Sequence, residues 1–227
     1  DSFLHEFNII FNQYLFNTIF KMKTKFLKLS LLALFIFTAS CSSDDDKNEV
    51  VPVVTTKVSN IAAPQTGGQG QPAGGAFAKF SFSQNKLVTD NSWDIAFRGT
   101  TIIVNGGAKI GLTDEPERTG SGAVSIVSGT FASITTFPAA STFAQDAAAV
   151  YSIPTGSGKG WYSYNAETHI ISPIAGKVFV VKTHDGKYAK FEVLSYYKDA
   201  PASPTLTSES PYYTFNFAYQ ANSTTTF

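Results

Sequence analysis

Asp185-Gly186 stands between two runs rich in β-branched and aromatic residues, 177–182 and 187–197. Glycine after aspartate supplies the positive φ that a tight turn needs, so the two runs are required to fold back on each other as an antiparallel hairpin. Comparable short runs recur through 53–227. Residues 53–63 read as a strand, and 76–83 alternates, with Phe80 and Phe82 opposite Lys79 and Ser81. Trp93, Ile95 and Phe97 are expected on one face of a further strand, with Asp94, Ala96 and Arg98 on the other. Residues 100–105, 123–127, 131–137, 161–165, 169–171 and 212–219 complete the strand expectations. Between them, 64–75 and 111–122 read as polar, glycine-containing loops. Only 138–149, opened by Pro138 and rich in alanine, has the composition of a helix. The expected fold is all-β: an antiparallel two-layer domain with at most one short helix.

Composition narrows the function. Lys and Arg number 17, matched by 17 Asp and Glu, and no basic cluster is present, which argues against nucleic acid as a partner. Charged residues reach only 15%, against roughly 25% in an average soluble domain, and this suits an exported β protein. One cysteine, Cys41, excludes an intrachain disulfide.

Cys41 follows a signal-like segment. Met22 is the single methionine; Lys23, Lys25 and Lys28 precede the apolar run 29–37, and the small residues Thr38, Ala39 and Ser40 lead into Cys41. A basic region, about ten apolar residues and a small-residue cleavage site define a signal peptide. The run is shorter than the roughly 20 residues of a membrane span. Ala39-Ser40-Cys41 resembles the end of a bacterial lipobox, whose cysteine becomes acylated; the alternative is ordinary cleavage leaving a free thiol. Asp44-Asp45-Asp46 then resembles the surface-export signal of Bacteroidetes lipoproteins, and also suits a solvated tether. The expected organisation is a translated upstream extension (1–21), a lipoprotein signal peptide (22–40), an acidic flexible tether (41–52) and one β domain (53–227).

Catalytic patterns are not evident. Gly156-Ser157-Gly158-Lys159-Gly160 lacks the hydroxyl residue after lysine and the leading glycine of a phosphate loop, and reads as a turn. His169 and His184 lack the i,i+4 spacing of metalloprotease ligands. His184, in the hairpin turn, is expected to be solvated, and His169 fits either a strand surface or a ligand. Asp114, Glu115 and Glu117 are expected in a solvated loop.

Two blocks carry a family resemblance. Trp93-Asp94-Ile95-Ala96-Phe97-Arg98, running into Thr101-Ile102-Ile103-Val104-Asn105-Gly106-Gly107, resembles the HmuY family of Bacteroidetes haem-binding lipoproteins. Gly176 to Val181, Asp185-Gly186, Ala189-Lys190-Phe191 and Tyr196-Tyr197 look like that family's late hairpin, and Tyr213 to Phe217 like its closing strand. The resemblance implies a non-catalytic protein, lipid-anchored on the outer membrane at the cell surface, that captures haem and supplies a TonB-dependent outer-membrane receptor. It implies two axial iron ligands, His or Met, one of them just after the Trp-Asp-x-Ala block. Arg98 stands there, and a guanidinium has no lone pair for iron. Arg98 then serves a haem propionate or pairs with a carboxylate such as Asp94. His169 and His184 are the imidazoles available to haem in the mature chain. The alternative is a relative with the same fold that binds a different ligand, haem ligation having been lost.

Overall fold

The computed structural model describes residues 53–68, 70–222, 224, 226 and 227. The proposed signal peptide, Cys41 and the acidic run lie outside the described residues. Strands are numbered along the chain. A five-stranded antiparallel sheet has the order β1 (Thr55–Ala62), β13 (Tyr212–Gln220), β12 (Tyr188–Ser195), β11 (Lys177–Lys182), β8 (Ala123–Ser128). A four-stranded antiparallel sheet has the order β5 (Lys86–Leu87), β4 (Ala78–Ser81), β6 (Ile95–Arg98), β7 (Thr101–Val104). Two small hairpins, β2 (Thr66–Gly68) with β3 (Gln71–Gly74) and β9 (Tyr162–Asn165) with β10 (Ile170–Pro173), complete the strands.

Alternation along the strands builds the core. Register places Ile126, Phe179, Phe191 and Phe217 in one row across β8, β11, β12 and β13. Phe179 and Phe191 stack at 4.9 Å. The facing sheet contributes Phe80, Ile95, Phe97, Ile102 and Val104 to the same cluster. Phe80 meets Phe215 edge-on at 5.2 Å, and Phe97 lies 4.5 Å from Tyr213. Each such side chain, fully buried, contributes roughly 1.5–3 kcal/mol. The two layers are held mainly by this aromatic seam.

A second cluster lies on the opposite face of the four-stranded sheet: Phe77, Trp93, Ala96, Ile103 and Ile110. Trp93 belongs here, not with Ile95 and Phe97 as alternation predicts. The chain bends at Asp94 before β6 begins, and the bend turns Trp93 to the other side. On the outer face of the five-stranded sheet, Phe131, Ile134 and Phe227 cover Val178 and Ala218. Lys190 is buried there, donating to the carbonyls of Phe131 (2.8 Å) and Ile134 (2.7 Å), with its ammonium 4.5 Å from the Phe131 ring centroid.

Three further expectations fail for tertiary reasons. Residues 138–149 form no α-helix, only a 3-10 turn at Ala140–Thr142. Ala144 exchanges both backbone hydrogen bonds with Val124 of β8, so the segment pairs with the sheet rather than with itself. Residues 131–137 are a capped 3-10 turn, Phe131–Ser133, followed by a single bridge at Thr136, because their carbonyls turn onto Lys190. The 64–75 loop holds the β2–β3 hairpin.

Candidate functional site

β6 carries polar side chains at both ends, and the fold uses them differently. At its start, the buried Asp94 carboxylate accepts from the Phe82 amide (2.7 Å), the His184 amide (2.9 Å) and His184 Nδ1 (2.8 Å). The β11–β12 turn is thereby fastened to the other sheet. Burial raises the Asp94 pKa, and the bonds from His184 and Phe82 oppose that rise. His184 is not the solvated turn residue expected from its position: its side chain is 23% exposed and its Nδ1 is committed.

At the far end of β6, Arg98 is only 2% exposed. Its guanidinium donates to the carbonyls of Gly75 and Thr113 and lies 4.2 Å from the Phe77 ring centroid. Burial lowers its pKa, with the charge of Asp114 acting the other way. The expected ion pair with Asp94 is not formed, because four residues of extended chain separate the two and Arg98 turns to the Gly75 and Thr113 carbonyls. A guanidinium so placed has little open face for a propionate.

The loop before β8 is not solvated throughout. Glu115 accepts from the amides of Ile110, Gly111 and Leu112, and Arg118 bridges Glu115 (2.6 Å) to Asp146 (3.0 Å) with all three side chains buried. Asp146 also accepts from the amides of Val104 and Ser152 and from the Ser152 hydroxyl. Asn105 donates to the carbonyls of Asn91 and Trp93 and accepts from the amides of Thr119 and Gly120. This network closes the loop over Trp93. Sequence reasoning missed it because the links that bury the loop, Arg118 and Val104 to Asp146 and Asn105 to residues 91–93 and 119–120, join segments remote along the chain. Among the described residues, the buried Trp93 Nε1, Arg98 Nε and Arg118 Nε find no hydrogen-bond partner.

His169 lies elsewhere, at the β9–β10 turn. Asn165 Oδ1 accepts from the amides of Glu167 and Thr168, which shapes the turn and leaves His169 in the left-handed region at φ 57°. For a residue with a Cβ that conformation costs roughly 1–2 kcal/mol. The His169 Nδ1 lies 2.5 Å from the Tyr164 hydroxyl, and both residues are exposed. Tyr164 has no sequence signal of its own, although it and His169 flank one short turn.

The three expected haem contacts therefore do not converge. Arg98 and Asp94, which holds His184, sit at opposite ends of β6, and His169 belongs to a separate hairpin. Among the described residues no group of three or more His, Cys, Asp or Glu side chains is arranged to hold a metal. A cleft of about 730 Å³ opens on the five-stranded sheet, lined in part by Thr55, Phe131, Ile174, Lys177, Glu192 and Leu194. No histidine or methionine lines it. A site with two axial imidazoles or thioethers does not fit the described residues.

The sequence profile described as HmuY protein matches residues 75–217, which include β4, β6 and β7, both halves of the β11–β12 hairpin and most of β13. The chain belongs to the HmuY family. Solved structures similar to it include three from Bacteroidetes. One is described as a lipoprotein from Bacteroides fragilis, at 14% identity, covering 78% of this chain and 94% of that chain with a TM-score of 0.43. Another is the apo HmuY analog of Tannerella forsythia, at 15% identity, 76% and 98% coverage and a TM-score of 0.42. The third is described as an HmuY-like heme binding protein from Bacteroides vulgatus, at 13% identity, 74% and 92% coverage and a TM-score of 0.43. No curated protein matches the sequence. HmuY proteins are binding proteins rather than enzymes, and haem-binding-type lipoproteins as a family.

Proposed function

We propose that this HmuY protein captures haem without catalysis, as a lipoprotein anchored through Cys41 on the outer face of the outer membrane, and passes it to a TonB-dependent receptor. The observation that supports haem most directly is the exposed β9–β10 hairpin. There an imidazole and a phenol stand side by side at the surface, whereas His184 is half-buried and tied to Asp94. Haem, if bound, would supply a ferric centre able to take a donor from the protein. This chain's part is to offer one donor to it and to hold that donor in place.

The cleft on the five-stranded sheet favours a second reading. Its lining is mostly apolar and includes Lys177 and Glu192 but no histidine or methionine, which suits a small ligand other than haem. A haemin titration followed at the Soret band separates the two. Saturable binding, with a spectrum unlike that of two histidines or two methionines, is the expected result. Substitution His184→Ala should leave it largely unchanged. Absence of saturable binding at micromolar haemin would move the assignment to the second reading.

A further inference from the structure

We propose that the cleft on the five-stranded sheet binds a short apolar peptide with free ends, held extended where β11 and β12 part. The inference rests on the cleft reading above and is independent of haem.

Two strands that stop pairing before they end make the site. The β11–β12 ladder runs from Lys182–Tyr188 to Phe179–Phe191 and no further, although β11 begins at Lys177 and β12 continues to Ser195. Both strands are fixed from behind: Lys177 and Val178 stay paired with β8, and Glu192 and Val193 with β13. The fork is therefore built into the sheet. In the hairpin turn, the Thr183 amide donates to the Lys187 carbonyl at 2.8 Å. Hydrogen-bonded pairs recur at every second residue of an antiparallel ladder, so Val193 is the residue after Phe191 whose amide and carbonyl turn toward β11. Its counterpart Lys177 donates its amide elsewhere, to the Ile174 carbonyl at 3.3 Å. A register shift between Val193 and Ser195 follows, the kind of irregularity that ends strand pairing.

Side chains define the ligand. The cleft, about 730 Å³, falls within the roughly 300–1,000 Å³ of ligand sites. Phe131, Pro173, Ile174 and Leu194 give it apolar walls, and Lys190 fixes the first of them by donating to the Phe131 carbonyl at 2.8 Å. Lys177 and Glu192 bring one charge of each sign to the lining, and among the described residues neither is ion-paired. Glu192 Oε1 accepts from Asn216 Nδ2 at 3.0 Å, which steadies the carboxylate. A peptide with free ends matches this set. Its side chains take the apolar walls, its carboxylate the Lys177 ammonium, its ammonium the Glu192 carboxylate, and its backbone meets Val193 as an added strand does. β12 runs four residues beyond its last pair with β11, about 13 Å at roughly 3.3 Å each, so the ligand is about four residues long. A purely apolar chain would leave both charges unanswered.

The test is a calorimetric titration of the purified protein with the tetrapeptide Ala-Leu-Val-Ala, unblocked, N-acetylated or C-amidated. Saturable binding of the unblocked peptide is expected, with a loss of at least tenfold on blocking either end. Lys177→Gln should weaken the unblocked and acetylated peptides and leave the amidated one unchanged. Glu192→Gln should weaken the unblocked and amidated peptides and leave the acetylated one unchanged. Loss of fold does not produce this crossed pattern. Equal affinity for the unblocked peptide in the wild type and both variants overturns the assignment. Anilinonaphthalene sulfonate, an apolar dye, separates the peptide from the cleft itself. Dye that binds the wild type but not Leu194→Asp, a change at an exposed position, together with no peptide binding, overturns the peptide and leaves the cleft reading intact. Binding of neither dye nor peptide overturns both.

Discussion

The carboxylate of Asp94 accepts hydrogen bonds from Phe82, just after β4 of one sheet, and from His184 in the β11–β12 turn of the other. Replacing it with alanine strands at least two largely buried amide donors, each costing about 1–3 kcal/mol. Asp94→Ala should therefore lose about 3–5 kcal/mol. His184→Ala, which leaves the backbone bond possible and removes a half-exposed ring, should lose about 1 kcal/mol. Urea midpoints measured for both variants check the order, and equal losses would show that the imidazole carries the link. The identity of Asp94 as a family marker was legible in Trp93-Asp94-Ile95-Ala96, but its partner was not, because His184 is remote in sequence. Trp93 illustrates a related failure. Alternation assigned it to the face of Ile95 and Phe97, and the bend at Asp94 reversed it.

At the scale of elements, local signals succeeded where the chain needs only itself to decide. The β11–β12 hairpin follows from Asp185-Gly186, and β13 from its aromatic alternation. Alanine-rich 138–149 failed because Ala144 pairs with β8 and Asp146 is drawn under Arg118. Loop 111–122 failed in the opposite sense, since it reads as solvated yet buries Glu115 and Arg118. Burial alone would raise the Glu115 pKa, but the amides of Ile110, Leu112 and Gly111 and the charge of Arg118 lower it below its ordinary 4.5. A lowered carboxylate pKa contributes stability above that value and loses it as pH falls through the folded-state pKa. Glu115→Gln should cost about 3 kcal/mol at pH 7, as expected when one partner of a buried pair is removed. It should also flatten the fall in stability below about pH 4.5. Denaturation midpoints from pH 7 to pH 3 test this, and parallel curves for wild type and variant would contradict it. The candidate site was half legible in the same way. His169 was visible as a donor, whereas its pairing with Tyr164 depended on a turn set by Asn165.

For the whole molecule, the described residues form one β unit, and the proposed membrane attachment rests entirely on the sequence before it. Cys41 follows basic and apolar segments that resemble a signal peptide, and no helix among the described residues is long and apolar enough to cross a membrane. Labelled fatty acid should enter the wild-type chain in cells and not Cys41→Ala. Equal labelling of both would remove the proposed anchor while leaving the binding site untouched. Within the β unit, the separation of the two apolar clusters by the four-stranded sheet has an optical consequence. The chain has two tryptophans, and the fold gives one to each cluster. Trp161 lies 5.1 Å from Tyr213 and 5.5 Å from Tyr196, close enough to collect their excitation energy. Trp93 lies beneath the Arg118 guanidinium, which is 5.8 Å from its ring centroid and bridges the buried carboxylates of Glu115 and Asp146, so its surroundings are charged where those of Trp161 are aromatic. The protein thus carries two intrinsic fluorophores of different character, one for each side of the same sheet.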